Sequence, residues 1–241
     1  MTRPAWYALG PGRTREAVTL LHLPYTAWHL SYVVAGGCLA AQPDWGRLGL
    51  TVAAFFLAMG IAAHALDELA GRPLETSIPS PVLAGLAVTS LAGACAIGVV
   101  VAARFSWWIL PLVAVGAFLV PAYNLELFGG RFHTDLWFAL AWGAFPVVTA
   151  YVAVTGRVRL ETAAGAAAAT LLSLTQRRLS TSARRARRSI TDVAGHAELI
   201  DGSRIPLTRE TLAEAPEAAL RLLTAATIAG ATALALARLA E

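Results

Sequence analysis

Apolar residues occur along the chain in seven long runs that are separated by shorter polar stretches. A helix needs about 20 mostly apolar residues to cross a lipid bilayer, and most of these runs approach or reach that length. The pattern therefore predicts transmembrane helices. In chain order, the predicted helices cover residues 21–41, 48–66, 81–103, 107–122, 136–155, 162–174 and 215–236.

The connections between these helices are of two kinds. Three are short (42–47, 104–106 and 156–161), and three are longer (67–80, 123–135 and 175–214). Short connections make neighbouring helices antiparallel, so we predict an all-α fold. It is one polytopic membrane bundle, residues 1–241, of about seven transmembrane helices. The sixth run is short and rich in alanine, and a buried or re-entrant helix is the alternative for it.

Composition supports a membrane protein. The chain is 57% hydrophobic and only 14% charged, with a mean hydropathy of +0.60, whereas soluble domains carry about 25% charged residues. Its two cysteines, Cys38 and Cys95, lie inside apolar runs. They predict neither a disulfide framework nor a zinc site.

Arginine is distributed unevenly between the two ends of the predicted bundle. One end holds the N-terminus and the three longer connections, and the other holds the short connections and the C-terminus. The arginines at the first end are Arg3, Arg13, Arg15, Arg72, Arg131, Arg177, Arg178, Arg184, Arg185, Arg187, Arg188, Arg204 and Arg209. Those at the second end are Arg47, Arg104, Arg157, Arg159 and Arg238. Basic residues favour the cytoplasmic side, so we predict an integral membrane protein with a cytoplasmic N-terminus, typical of a bacterial inner membrane.

The connection 175–214 contains most of this positive charge. Its arginine pairs indicate a basic surface segment that lies on anionic lipid head groups. A partner protein docked through the same segment is an alternative, whereas nucleic acid is not expected as a partner.

Ionisable side chains other than arginine cluster at the same end of the bundle. His64, Asp67 and Glu68 are three and four residues apart, so they share one side of a helix. Imidazole and carboxylate groups are the usual ligands of zinc, iron and manganese, and carboxylates also serve as acids or bases. The predicted metal ligands are His29, His64, Asp67, Glu68, Glu126 and His133, and the predicted catalytic groups are Asp67, Glu68 and Glu126. The alternative is that these groups are solvated at the membrane surface and hold no metal.

Three stretches resemble the UbiA-type membrane prenyltransferase superfamily. They are residues 66–74 (LDELAGRPL), 121–126 (PAYNLE) and 142–146 (WGAFP). In that family an Asp-rich helix end leads into an Arg-Pro-Leu-type loop before the third helix. The resemblance covers roughly residues 20–155.

The resemblance implies a helical bundle with a cavity near its cytoplasmic side, where Mg²⁺ on two Asp-rich motifs holds a prenyl diphosphate. It also implies that Arg72, Tyr123 and Asn124 bind substrate. This chain departs from the family pattern, because only Asp67 matches the first motif and arginine-rich sequence stands where the second is expected. Mg²⁺ favours oxygen ligands, so the histidines of this chain predict iron, manganese or zinc instead.

We therefore expect a membrane-embedded, metal-dependent enzyme that acts on a lipophilic, isoprenoid-like substrate. A non-haem metal oxidoreductase or a hydrolase on the same scaffold is an alternative. A transporter, or a non-catalytic membrane subunit, is a further alternative.

Overall fold

The computed structural model describes residues 5–10 and 12–241, and its architecture is a bundle of helices. Arg3, which was assigned above to the cytoplasmic side, lies outside the described residues. The helices are α1 (Arg13–Leu20), α2 (Leu23–Cys38), α3 (Trp45–Gly71), α4 (Ser80–Arg104), α5 (Ile109–Asn124), α6 (Asp135–Thr155), α7 (Leu160–Arg184) and α8 (Arg209–Leu239). A hairpin of two short antiparallel strands, β1 (His196–Glu198) and β2 (Arg204–Pro206), precedes α8.

Among the described residues, four helices are long and apolar enough to cross a membrane, judged by length and composition. They are α3, α4, α6 and α8. Helix α5 is also apolar but has only 16 residues. The structure, like the sequence, is therefore consistent with a helical membrane protein.

Every predicted helix corresponds to a helix of the structure, but several are longer than predicted. The largest difference is at the sixth, predicted to end at residue 174. Helix α7 instead reaches Arg184 and continues as a π-helical turn, Arg185–Ser189. The apolar run ends at 174, but no proline or glycine follows until Gly195, so nothing in the local sequence stops the helix. Residues 175–189 are thus part of the bundle, and the non-helical connection is shorter than the predicted surface segment.

Glycines let α6 approach two neighbouring helices closely. A Cβ atom added at Gly36 of α2 would lie 2.6 Å from the Val147 backbone oxygen of α6. A Cβ atom added at Gly143 of α6 would lie 2.7 Å from the Ala169 backbone oxygen of α7. Such contacts leave no room for any side chain, as is typical of small residues between membrane helices. The backbones of α2, α6 and α7 are therefore held together at these two points.

A buried carboxylate fixes the loop between α3 and α4. Glu68 is fully buried, and its two oxygens accept hydrogen bonds from the Leu74 amide (2.9 Å), the Thr76 amide (2.8 Å) and the Thr76 hydroxyl (2.9 Å). Arg72, in the left-handed conformation (φ 48°), donates to the Ile78 carbonyl (2.6 Å) and the Ser80 hydroxyl (2.8 Å). Together these bonds close the loop over the end of α3.

Replacing the contact glycines should separate the helices. We expect Gly36→Ala and Gly143→Ala each to destabilise the protein by roughly 1–3 kcal/mol, because the added methyl group overpacks a backbone contact. The matched control is Gly85→Ala in α4, where an added Cβ atom would meet nothing within 4 Å. Thermal unfolding in detergent measures the difference, and equal unfolding temperatures for all three variants would contradict the packing argument.

Removing the Glu68 carboxylate should also destabilise the protein. We expect Glu68→Ala to lose roughly 3 kcal/mol or more, because three buried donors would have no acceptor. Glu198→Ala on the exposed hairpin is the control, since that side chain is 63% exposed and only weakly paired with Arg204. The same unfolding assay applies, and faster proteolysis within 72–79 of the Glu68 variant would locate the damage.

Candidate functional site

A polar cavity of about 680 Å³ lies at the end of the bundle where α3 and α5 finish and α2 and α6 begin. Side chains from α2, α3, α5, α6, α7 and α8 contribute to its wall, together with residues 5–7. Seven of the nine predicted site residues line this cavity. They are His29, His64, Asp67, Tyr123, Asn124, Glu126 and His133.

Two stacked imidazoles form one part of the wall. The rings of His22 and His64 are nearly parallel, with centroids 4.0 Å apart. His64 Nδ1 lies 3.2 Å from the Gly60 carbonyl, and a carbonyl can only accept, so this nitrogen carries the proton. In the neutral imidazole, Nε2 of His64 is then a lone-pair acceptor. Asp67 follows one turn later on the same helix and also lines the cavity.

The other two predicted histidines are held by backbone carbonyls. His29 Nδ1 is 2.8 Å from the Trp142 carbonyl, and His133 Nδ1 is 3.0 Å from the Tyr123 carbonyl. His133 Nε2 lies 3.4 Å from a guanidinium nitrogen of Arg177 and accepts from it. Both nitrogens of His133 are thus engaged within the protein, which leaves none for a metal ion.

Arginines of α7 form the opposite part of the wall. Arg177, Arg184 and Arg188 all line the cavity. Arg177 donates to the Asp135 carboxylate at 3.0 Å, which holds α7 against the start of α6. Sequence reasoning assigned these arginines to the lipid surface. The signal that could have found them is their spacing of seven and four residues, which puts all three on one face of a continuous helix.

Two residues of the cavity wall carry buried polar atoms without partners. The Tyr123 hydroxyl and Gln176 Oε1 are buried, and neither has a hydrogen-bond partner among the described residues. Both residues line the cavity. Buried polar groups in proteins are nearly always satisfied, so these two atoms indicate a place where a polar ligand or solvent is bound.

The structure corrects the assignment of Glu68 and Arg72. Neither lines the cavity, because the Glu68 carboxylate and the Arg72 guanidinium are both used to close the 72–79 loop. Asp67 is one residue before Glu68, and this step rotates a side chain by about 100° around the helix. That rotation places Asp67 in the cavity wall and Glu68 under the loop.

Glu126, a predicted metal ligand, and Asn124, a predicted substrate-binding residue, lie at and just beyond the end of α5. Glu126 lies at the rim with φ 50° and a side chain that is 66% exposed, and its carboxylate is 3.9 Å from His133 Nδ1. The Asn124 amide nitrogen donates to the Val120 carbonyl at 2.7 Å. Glu126 is thus a solvated group, and the Asn124 amide nitrogen is used within α5.

The side chains do not fit a protein-held metal ion. Within residues 5–10 and 12–241, no group of three or more His, Cys, Asp or Glu side chains is arranged to hold one. The predicted ligands are divided between His64, which stacks on His22, the carbonyl-held His29 and His133, Asp67 in the cavity wall, the loop carboxylate Glu68 and the rim carboxylate Glu126. No step of a mechanism is therefore derived through iron, manganese, zinc or Mg²⁺.

An apolar pocket adjoins the polar cavity. It lies among α3, α4, α5 and α6, and Met59 and Trp142 belong to the lining of both spaces. Phe55, Leu119 and Phe145 continue its wall away from the cavity. Met59 and Trp142 both lie in π-helical segments, Phe56–Ala63 of α3 and Leu140–Ala144 of α6. Such segments are frequent at functional sites.

Comparisons with known proteins provide no relative on which to base an identification. No family model matches the chain, and neither a curated protein nor a solved structure does. The resemblance to the UbiA-type superfamily remains a prediction from the residues quoted above.

Proposed function

We propose that this protein is a membrane-embedded enzyme with a UbiA-like bundle of about seven spans, acting on a lipophilic, isoprenoid-like substrate near the cytoplasmic face of a bacterial inner membrane. The observation that carries the proposal is the junction of the polar cavity with the apolar pocket at Met59 and Trp142. A ligand that fits both spaces has a polar head and an apolar tail.

Two groups in the cavity are suited to acid–base chemistry on such a head group. Asp67 supplies a carboxylate, and His64 presents Nε2 as an acceptor while Gly60 holds its other nitrogen. A positioned acid or base of this kind accelerates proton transfer by about 10²–10⁴-fold. In this proposal Asp67 accepts the proton that the reacting head group loses, and His64 orients the same group by hydrogen bonding.

The end of the bundle opposite the cavity, where α3 begins and α6 ends, favours an enzyme over a transporter. Its carboxylates are engaged locally, since Asp44 accepts from the Arg47 amide (2.8 Å) and caps α3, and Glu161 accepts from the Tyr151 hydroxyl (2.6 Å). A conducting path would need polar groups in series across the bilayer. The cavity groups instead gather at one end, which is the arrangement of a site that opens to one side.

The tail pocket can be tested without knowing the reaction. A geranylgeraniol analogue with a diazirine at the end of its chain should label peptides around Leu119 and Phe145 in phosphatidylcholine nanodiscs. Met59→Trp should reduce this labelling several-fold, because the indole would fill the junction. Val88→Trp, at a side chain of α4 that is 69% exposed, is the control and should not reduce it. Labelling spread over exposed surfaces and unchanged by Met59→Trp would contradict the proposal.

The catalytic role of Asp67 can be tested by untargeted lipid mass spectrometry of expressing cells. Cells with the wild-type protein should accumulate a lipid product that falls roughly 100-fold with Asp67→Asn, in line with loss of an acid or base. Asp44→Asn is the matched control, because asparagine also caps helices well. Equal product levels in the two variants would remove Asp67 from the chemistry.

A further inference from the structure

The wall that α7 contributes to the cavity is unusually rich in positive charge. Arg177, Arg184 and Arg188 face the same space from one side of the helix, and Arg187 lines it as well. Asp67 on the facing wall, Glu126 at the rim and Glu217 of α8 are the carboxylates that line the cavity. Some of these charges already neutralise one another.

Most of the carboxylates near this wall are already used. Arg187 forms a bidentate salt bridge with Glu217. Arg177 forms a salt bridge with Asp135, which does not line the cavity. Arg184 differs, because within the described part of the chain no carboxylate lies within ion-pair distance of its guanidinium. Its guanidinium donates a hydrogen bond to the Thr181 hydroxyl at 3.2 Å.

Arg184 is therefore half-buried among like charges. Its guanidinium shares the cavity wall with those of Arg177 and Arg188. Like charges on a partly buried wall repel one another more strongly than fully solvated charges. A bound anion would relieve this repulsion, and arginine is the side chain whose planar fork best matches phosphate oxygens.

The same wall contains a neutral donor, the Tyr123 hydroxyl. Tyr123 is one of the residues that line the cavity, and its hydroxyl is buried and has no hydrogen-bond partner among the described residues. Tyr123 as a whole is only 4% exposed. Its hydroxyl can donate to an anion without giving up any bond that the folded protein makes.

We propose that Arg184, Arg177, Arg188 and the Tyr123 hydroxyl form an anion site that binds a phosphate group directly, without a divalent metal. The inference rests on the proposed function where the phosphate is the head group of the lipophilic substrate. Free phosphate has the same chemistry and is the other source. The site replaces the metal-held head group that the family resemblance implies, and it agrees with a donor set that fits no protein-held metal ion.

Equilibrium dialysis of the full-length protein in nanodiscs with labelled inorganic phosphate, in EDTA, tests the site. Arg184→Gln should weaken binding roughly 10-fold or more, as expected for a lost charge-assisted hydrogen bond. Arg185→Gln is the matched control, because Arg185 is the next residue, is exposed and does not line the cavity. Tyr123→Phe removes a hydroxyl without a partner, so it should weaken binding several-fold while leaving the unfolding temperature unchanged.

A second arm replaces inorganic phosphate by farnesyl phosphate in phosphatidylcholine nanodiscs. Tighter binding of farnesyl phosphate, lost in Arg184→Gln, assigns the site to a lipid head group, and equal binding of both probes assigns it to free phosphate. Either result supports the anion site. Binding that needs added Mg²⁺, that is unchanged in both variants, or that is absent for both probes overturns it. The geranylgeraniol experiment uses no phosphate, so failure of the anion site leaves the tail pocket to be judged separately.

Discussion

The close approach of three helix backbones is the constraint on which the cavity depends. Gly36 brings α2 against α6, and Gly143 brings α7 against the other side of α6. Because these contacts involve backbone atoms, the distances between the helices cannot be adjusted by changing rotamers. The arginines of α7 and the histidine of α2 consequently meet across one space, and His29 can reach the Trp142 carbonyl one residue before Gly143.

The cavity also depends on a rigid C-terminal end of α3. Glu68 and Arg72 close the loop that follows this helix, and Glu16 of α1 fastens the same loop from outside by accepting two hydrogen bonds from Ser77 (2.9 and 2.7 Å). These bonds hold the last turn in register, so Asp67 keeps its place in the cavity wall. A buried charge that is fully hydrogen-bonded stabilises a loop in this way, whereas an unpaired one would disrupt it.

The helices could be predicted from the sequence because long apolar runs specify them directly, as at α4 and α6. The cavity residues were predicted in part, since ionisable groups at one end of an apolar bundle stand out, as Asp67 and His64 do. Glu68 was misassigned because spacing alone cannot show that a loop six to eight residues later will use its oxygens. The place of Arg184 in the cavity wall was missed because helix α7 was predicted to end ten residues too early, so that the regular helical spacing of its arginines was not recognised.

The π-helical segments have a consequence for how this site tolerates change in chain length. A π-helical turn contains one residue more than an α-helical turn, so the residues on its two sides are out of phase with a regular α-helix. Deleting one residue from Leu140–Ala144 would restore that phase and turn Asp135–Ala139 by about 100° relative to Phe145–Thr155. The geometry of the site thus depends on how many residues these turns contain as much as on which residues they are. Homologues that align without gaps across the turns would preserve that geometry.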